Sequence, residues 1–228
     1  MQTKLLINGT FTDSDAGTTM PVEDPATGDT IAQVAAGGPA DVVRAVAKAH
    51  SAQQHWATTP PRDRGEVLRR TWQSMTDHAD ELADLITAEN GKPVADSNAE
   101  VTYAAEFFRW NSEEAVRIRG QIGAAPAGDK RMVIHHPPIG VVAMITPWNF
   151  PAAMITRKLA PALAAGNAVV IKPPAQTPLT ALRIGELMLD AGLPDGLLNI
   201  VPTDDSSTWF DTAVDQEPLR MVPFTVST

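Results

Sequence analysis

Ile139-Gly140-Val141-Val142-Ala143-Met144-Ile145-Thr146-Pro147-Trp148-Asn149-Phe150-Pro151 is the stretch whose reading decides the fold. Residues 139–145 are apolar and rich in β-branched side chains, as in a parallel strand buried on both faces. Pro147 and Pro151 mark residues 146–151 as a loop. The pattern then predicts a helix over about 152–165, a strand over 168–172 and a helix over 178–191 closed by Gly192 and Pro194. A strand over 197–201, a helix over 206–214 and a fourth strand over 220–225 complete the series. Strands and helices alternating at this spacing predict βαβ units, hence an α/β fold on a parallel sheet.

Working toward the N-terminus, residues 120–138 hold Gly and Pro turn signals around two short extended runs. They read as a hairpin that leaves the body of the domain. Before it lies a helix over about 96–117, with Tyr103, Phe107 and Trp110 expected inside. A long helical region over 61–90 keeps Leu68, Trp72, Met75, Ala79, Leu82, Leu85 and Ile86 on the 3.6-residue period, and Asn90-Gly91 is its stop. From Pro39, Val42, Val43, Val46, Ala49 and Trp56 fall near one helix face. Residues 4–12 read as a hairpin about Asn8-Gly9, a dipeptide suited to positive φ. Pro25 to Gly28 is a turn, with a strand over 30–35 after it.

The 228 residues are 43% hydrophobic and 20% charged, ordinary for a globular protein. A net charge of −9 without a basic tract argues against nucleic acid and anionic membrane as partners. No stretch reaches the ~18 apolar residues of a membrane span, and the polar N-terminus does not read as a signal peptide, so the expectation is cytoplasmic. Cysteine is absent, which excludes disulfides, thiolate metal sites and a cysteine nucleophile within these residues. The histidines and carboxylates have no metal-ligand spacing; His135 and His136 are adjacent in an extended run and point oppositely.

In open parallel sheets, ligands bind beyond the carboxyl ends of the strands, and the 146–151 loop has that placement. Its bland alternative is a Pro-bracketed loop with a packed Trp148 and a capping Asn149. The segment 145–158, Ile-Thr-Pro-Trp-Asn-Phe-Pro-Ala-Ala-Met-Ile-Thr-Arg-Lys, resembles the NAD(P)-dependent aldehyde dehydrogenase superfamily, and within it the succinate-semialdehyde group. The likeness continues more weakly from Leu6 to Thr228 and spans roughly the first half of a family member.

The resemblance implies a Rossmann-like sheet over 139–228, with 1–119 as the N-terminal part of the cofactor-binding domain and 120–138 as an oligomerisation hairpin. It implies that Asn149 donates its side-chain amide to the oxygen of a small aldehyde, that Arg157 clamps a distal carboxylate, and that Thr146, Pro147 and Trp148 line the cofactor. Lys172 would meet the adenosine ribose. Many NAD-preferring relatives carry Glu at the position of Ala175, so Ala175 removes a repulsion toward a 2′-phosphate; NAD or NADP is expected, with NADP favoured. A surface role is the plain alternative for Arg157 and for Lys172.

The resemblance falters near the end. Phe224-Thr225-Val226-Ser227-Thr228 stands where the family has Phe-Thr-Gly-Ser-Thr, whose Gly and Ser open a helix at the cofactor pyrophosphate. Val226 replaces the Gly, Ser227 matches the Ser, and Pro223 sits in an expected central strand, where it would remove a ladder donor. The family's Cys nucleophile and Glu base would lie downstream. The expectation is therefore a truncated chain, inactive alone as a dehydrogenase, with a non-catalytic NAD(P)-binding module or an oligomer partner as alternatives.

Overall fold

The computed structural model describes residues 1–225. In chain order it has strands β1 (Leu5–Ile7), β2 (Thr10–Thr12), β3 (Thr19–Glu23) and β4 (Thr30–Ala35), then helices α1 (Pro39–Trp56), α2 (Pro61–Asp77), α3 (Ala79–Asn90) and α4 (Val94–Glu114). A 3₁₀ turn, Ala115–Arg117, leads to β5 (Gln121–Ala124) and β6 (Arg131–Ile134). The alternating part comes next: β7 (Val141–Ile145), α5 (Ala153–Ala164), β8 (Ala168–Lys172), α6 (Leu179–Asp190), β9 (Leu198–Ile200), α7 (Ser206–Val214) and β10 (Leu219–Met221). No helix of the described residues is long and apolar enough to cross a membrane.

The main sheet runs β10-β7-β8-β9-β1-β2. Its first four strands are parallel, as the alternation predicts. β1 joins β9 antiparallel, with Leu6 opposite Ile200, so the N-terminal hairpin extends the sheet. Its turn residues Asn8 and Gly9 both have positive φ, 55° and 75°, which the Asn-Gly pair accommodates at low cost. β7 and β8 pair from Val141–Ala168 to Ile145–Lys172, and every side chain of both strands is buried. α5 packs on β7 and β8, α6 on β9 and β1, and α1 on β7, β8 and β9. α2 packs on both α5 and α6, α4 on α5 and α3 on α6, which adds an outer helical layer.

Several sequence expectations need correction. The helical region over 61–90 breaks at His78, whose φ of −110° and ψ of 25° end α2 and begin α3. Tyr103 and Trp110 are not inside: they are 50% and 58% exposed, because α4 buries Val101, Ala104, Ala105 and Phe108 instead. Val43 likewise faces outward while Val42 and Val46 are buried. β3, not foreseen, pairs with β4 in a sheet of two strands. The fourth strand of the series is shorter than expected and stands at the sheet edge among the described residues. Pro223 lies beyond β10, where its missing N–H interrupts no strand; a single parallel bridge then joins Phe224 to Ile145.

Candidate nucleotide site

From β7 the chain steps to β8 and β9, then returns through α7 to β10 on the other side of β7. The strand order reverses between β7 and β10, and the carboxyl ends of strands at such a reversal form a crevice. A cleft of about 970 Å³ lies there. Thr146, Pro147 and Trp148 after β7, and Lys172, Pro174 and Ala175 at the end of β8, form two of its walls. Ser206, Ser207 and Phe210 of α7 and Phe224 and Thr225 after β10 form the others. The paired ends of Ile145 and Lys172 bring the first two walls side by side.

The loop after β7 is held from outside the sheet by the α3–α4 connection. Asn90 Nδ2 donates to the Trp148 carbonyl at 2.9 Å. Lys92 Nζ donates to the Asn149 carbonyl at 3.1 Å, lies 4.1 Å from the Phe150 ring centroid, and pairs with Glu100. Glu100, buried, accepts from the Ala152 and Ala153 amides at 2.9 and 3.2 Å, which satisfies two of the free N–H groups at the start of α5. Glu89 does the same for α6: its carboxylate accepts from the Leu179 and Thr180 amides at 2.7 and 2.9 Å. Burial pushes the Glu89 carboxyl up to about 7, although those amides favour its charged form and Glu100 adds a further upward push.

Lys172 is buried, and burial lowers its pKa. Its Nζ donates to the Pro173 carbonyl at 3.1 Å, and no carboxylate among the described residues pairs with it. Lys158 Nζ donates to the carbonyls of Ile145 and Pro223 at 3.1 and 3.3 Å, bridging β7 to the segment after β10. Burial, then the nearby Arg157 charge, brings the Lys158 pKa down to about 8. Thr146 Oγ1 and Asn149 Oδ1 are buried without a hydrogen-bond partner among the described residues.

The cleft thus gathers Thr146, Pro147, Trp148, Lys172 and Ala175. Asn149 comes directly after them in the same loop but is not part of the cleft wall. Arg157 is exposed on α5, its guanidinium 5.9 Å from the Phe107 ring centroid, on a face shared with α4 and apart from the cleft. Ser227 and Val226 lie outside the described residues. Sequence reading misses Asn90, Lys92, Glu100, Glu89 and Lys158. The Asn90-Gly91-Lys92-Pro93 run is legible only as a helix stop, and nothing local to Glu89 or Glu100 marks a carboxylate that caps a helix 52 to 91 residues away.

A parallel sheet with this strand reversal and a cleft at its strand ends is an open α/β domain of the kind that binds ligands at that crevice. Residues 11–228 match the aldehyde dehydrogenase family, and the chain belongs to it. It is 42% identical, over 98% of its length, to the NADP(+)-type succinate-semialdehyde dehydrogenase of Escherichia coli. Over 86% of its length it is 47% identical to a glutarate-semialdehyde dehydrogenase of Pseudomonas putida. Its fold superposes on the crystal structure of PnpE in complex with nicotinamide adenine dinucleotide with a TM-score of 0.94, at 38% identity over 97% of this chain. The chain spans less than half of each: 46%, 41% and 45% of their respective lengths.

Proposed function

We propose that these residues form the nucleotide-binding half of an aldehyde dehydrogenase that oxidises a short semialdehyde, with succinate semialdehyde the best candidate and NADP the favoured cofactor. The observation that carries the reading is the cleft at the β7–β10 reversal, with Lys172 uncompensated and Thr146 Oγ1 unpartnered at its edge. These groups fit a dinucleotide, which brings phosphates for the cation and hydroxyl groups for the orphan oxygen. Bound NAD(P) would supply the hydride acceptor.

Lys172 holds the adenosine ribose, and Ala175 leaves that place free of the carboxylate that would repel a 2′-phosphate. Trp148 and Pro147 exclude water from one side of the cleft. Asn149 offers its amide to the aldehyde oxygen, where negative charge develops as a nucleophile adds; losing one such donor raises a barrier by about 3 kcal/mol. Arg157 offers parallel N–H groups to a carboxylate at the far end of the substrate, and the names of the succinate- and glutarate-semialdehyde relatives support that substrate class. No cysteine is present among the 228 residues, so the thiolate must come from elsewhere, and these residues alone bind nucleotide without turning over aldehyde.

The β5–β6 hairpin supports a second element of the reading, a homo-oligomer. Among the described residues its strands pair with each other and with no other strand, and Ile122 and Val133 are 76% and 70% exposed. Exposed apolar side chains on a projecting ribbon suit a subunit interface.

The experiment is a titration of the chain with NADP and with NAD, followed by tryptophan fluorescence. Saturable quenching, tighter for NADP and weakened in Lys172→Ala, is expected. A folded sample that saturates with neither nucleotide would sink the proposal.

A further inference from the structure

The Asn149 side chain makes no hydrogen bond to any described residue, and its Oδ1 is buried without a partner. A side chain with no partner of its own takes its direction from the backbone that carries it. That backbone is held at nearly every residue around Asn149: the Met154 amide donates to the Phe150 carbonyl at 3.0 Å, and the side chains that do the rest of the holding come from one short stretch. Asn90 fixes the Trp148 carbonyl, Lys92 fixes the Asn149 carbonyl and covers the Phe150 ring, and Glu100 fixes the Ala152 and Ala153 amides. Pro151, the residue left untouched, has its φ set by its own ring. Lys92 and Glu100 are joined to each other, with side chains 14% and 1% exposed, so the two grips form one unit.

We propose that Lys92 and Glu100 are positioning residues for Asn149: by fixing its own carbonyl and the backbone that follows it, they set where its amide points. The inference rests on the proposed role of Asn149 as the donor to the aldehyde oxygen, and it adds what holds that donor. The ammonium divides its donors between a carboxylate and a carbonyl, and the carboxylate divides its oxygens between that ammonium and a helix start. Removing the Lys92 charge therefore frees the Asn149 carbonyl, and removing the Glu100 charge takes away the carboxylate that holds Lys92 against it. Geometry of this kind matters because a catalytic group misplaced by about 1 Å can cost on the order of 100-fold in rate.

The test uses the 228-residue chain, selectively ¹⁵N-labelled at asparagine, without ligand. The side-chain amide pair of Asn149 is assigned by its disappearance in Asn149→Asp. Glu100→Gln, which keeps an acceptor for Ala152 and Ala153, and Lys92→Met are expected to shift and broaden the Asn149 pair. The pairs of Asn8, Asn98 and Asn111 should stay in place, and Lys92→Arg should restore the Asn149 pair. An Asn149 pair unchanged in a folded variant would overturn the assignment. So would a common shift of all asparagine pairs, since that is what a merely structural role produces. If Lys92→Met does not fold, Glu100→Gln carries the same decision. The readout needs no nucleotide, so failure of the wild-type chain to bind NADP would sink the functional reading and leave this one standing on its own result.

Discussion

The two strand-end loops that wall the cleft are anchored by the same device, with opposite outcomes in charge. After β7, the buried Glu100 caps α5 and finds its counter-charge in Lys92. After β8, the buried Glu89 caps α6, and no cation among the described residues pairs with it. The same second loop begins at Lys172, a buried ammonium whose single partner among the described residues is a carbonyl. The first loop is electrostatically complete, and its Asn149 side chain, proposed as the donor to the aldehyde oxygen, is left without a protein partner among the described residues. The second loop begins at one ammonium and ends at a helix capped by one carboxylate from α3, each without an opposite partner among the described residues, and is the wall where a charged ligand gains most.

The comparison is broken most forcefully at Glu100. Glu100→Ala uncovers the Ala152 and Ala153 amides and leaves Lys92 largely buried with no counter-charge. Breaking a buried pair from one side costs about 3–5 kcal/mol, and a urea denaturation curve should lose that much relative to wild type. A loss under about 1 kcal/mol would mean that the pair is solvated and the loop is held by other contacts.

Glu89 gives the next largest effect, and a different signature. Its folded pKa, about 7, is raised above the ordinary 4.5. Between those values the folded chain holds a proton that the unfolded chain has released. This contribution is therefore fully present below pH 4.5, falls as pH rises and is exhausted above pH 7. The slope approaches about 1.4 kcal/mol per pH unit at most, or roughly 3 kcal/mol across the window. Glu89→Gln keeps an acceptor for α6 and does not titrate, so the difference between its stability profile and that of wild type isolates the slope. Parallel profiles from pH 4.5 to 7 would show that Glu89 stays ionised, held by the amides of Leu179 and Thr180.

The reach of the sequence toward this picture is set by the range of the forces involved. The alternation after residue 139 is legible because each strand writes its burial on consecutive residues, and the Asn8-Gly9 turn because φ preference is local. The break at His78 is not, since residues on either side keep the helical period and the interruption is one residue's torsion. Tyr103 and Trp110 mislead because aromatic content suggests burial, whereas the α4 face is chosen by small residues such as Ala104 and Ala105 that let α2 and α5 approach. At the site, the strand-end residues can be named from one segment. The groups that hold them, Lys92, Glu89 and Glu100, act across 52 to 91 residues of sequence and leave no local trace.

The smallest of these effects sharpens the contrast between the two loops. Lys172→Met keeps the aliphatic stem that fills the end of β8 and removes only the charge. Burial disfavours that charge, as the lowered pKa records, so its loss at pH 7 should leave the melting temperature equal to or above that of wild type. If the ammonium is kept for a ligand, the same substitution should weaken NADP binding by about tenfold or more, since a hydrogen bond to a charged group contributes roughly 1.5–3 kcal/mol. Stability and affinity then move in opposite directions at one atom. A substitution that lowers both would place Lys172 with Lys92, as a charge the fold itself uses. One that changes neither would remove Lys172 from the nucleotide site and leave Trp148 and its neighbours to account for any binding.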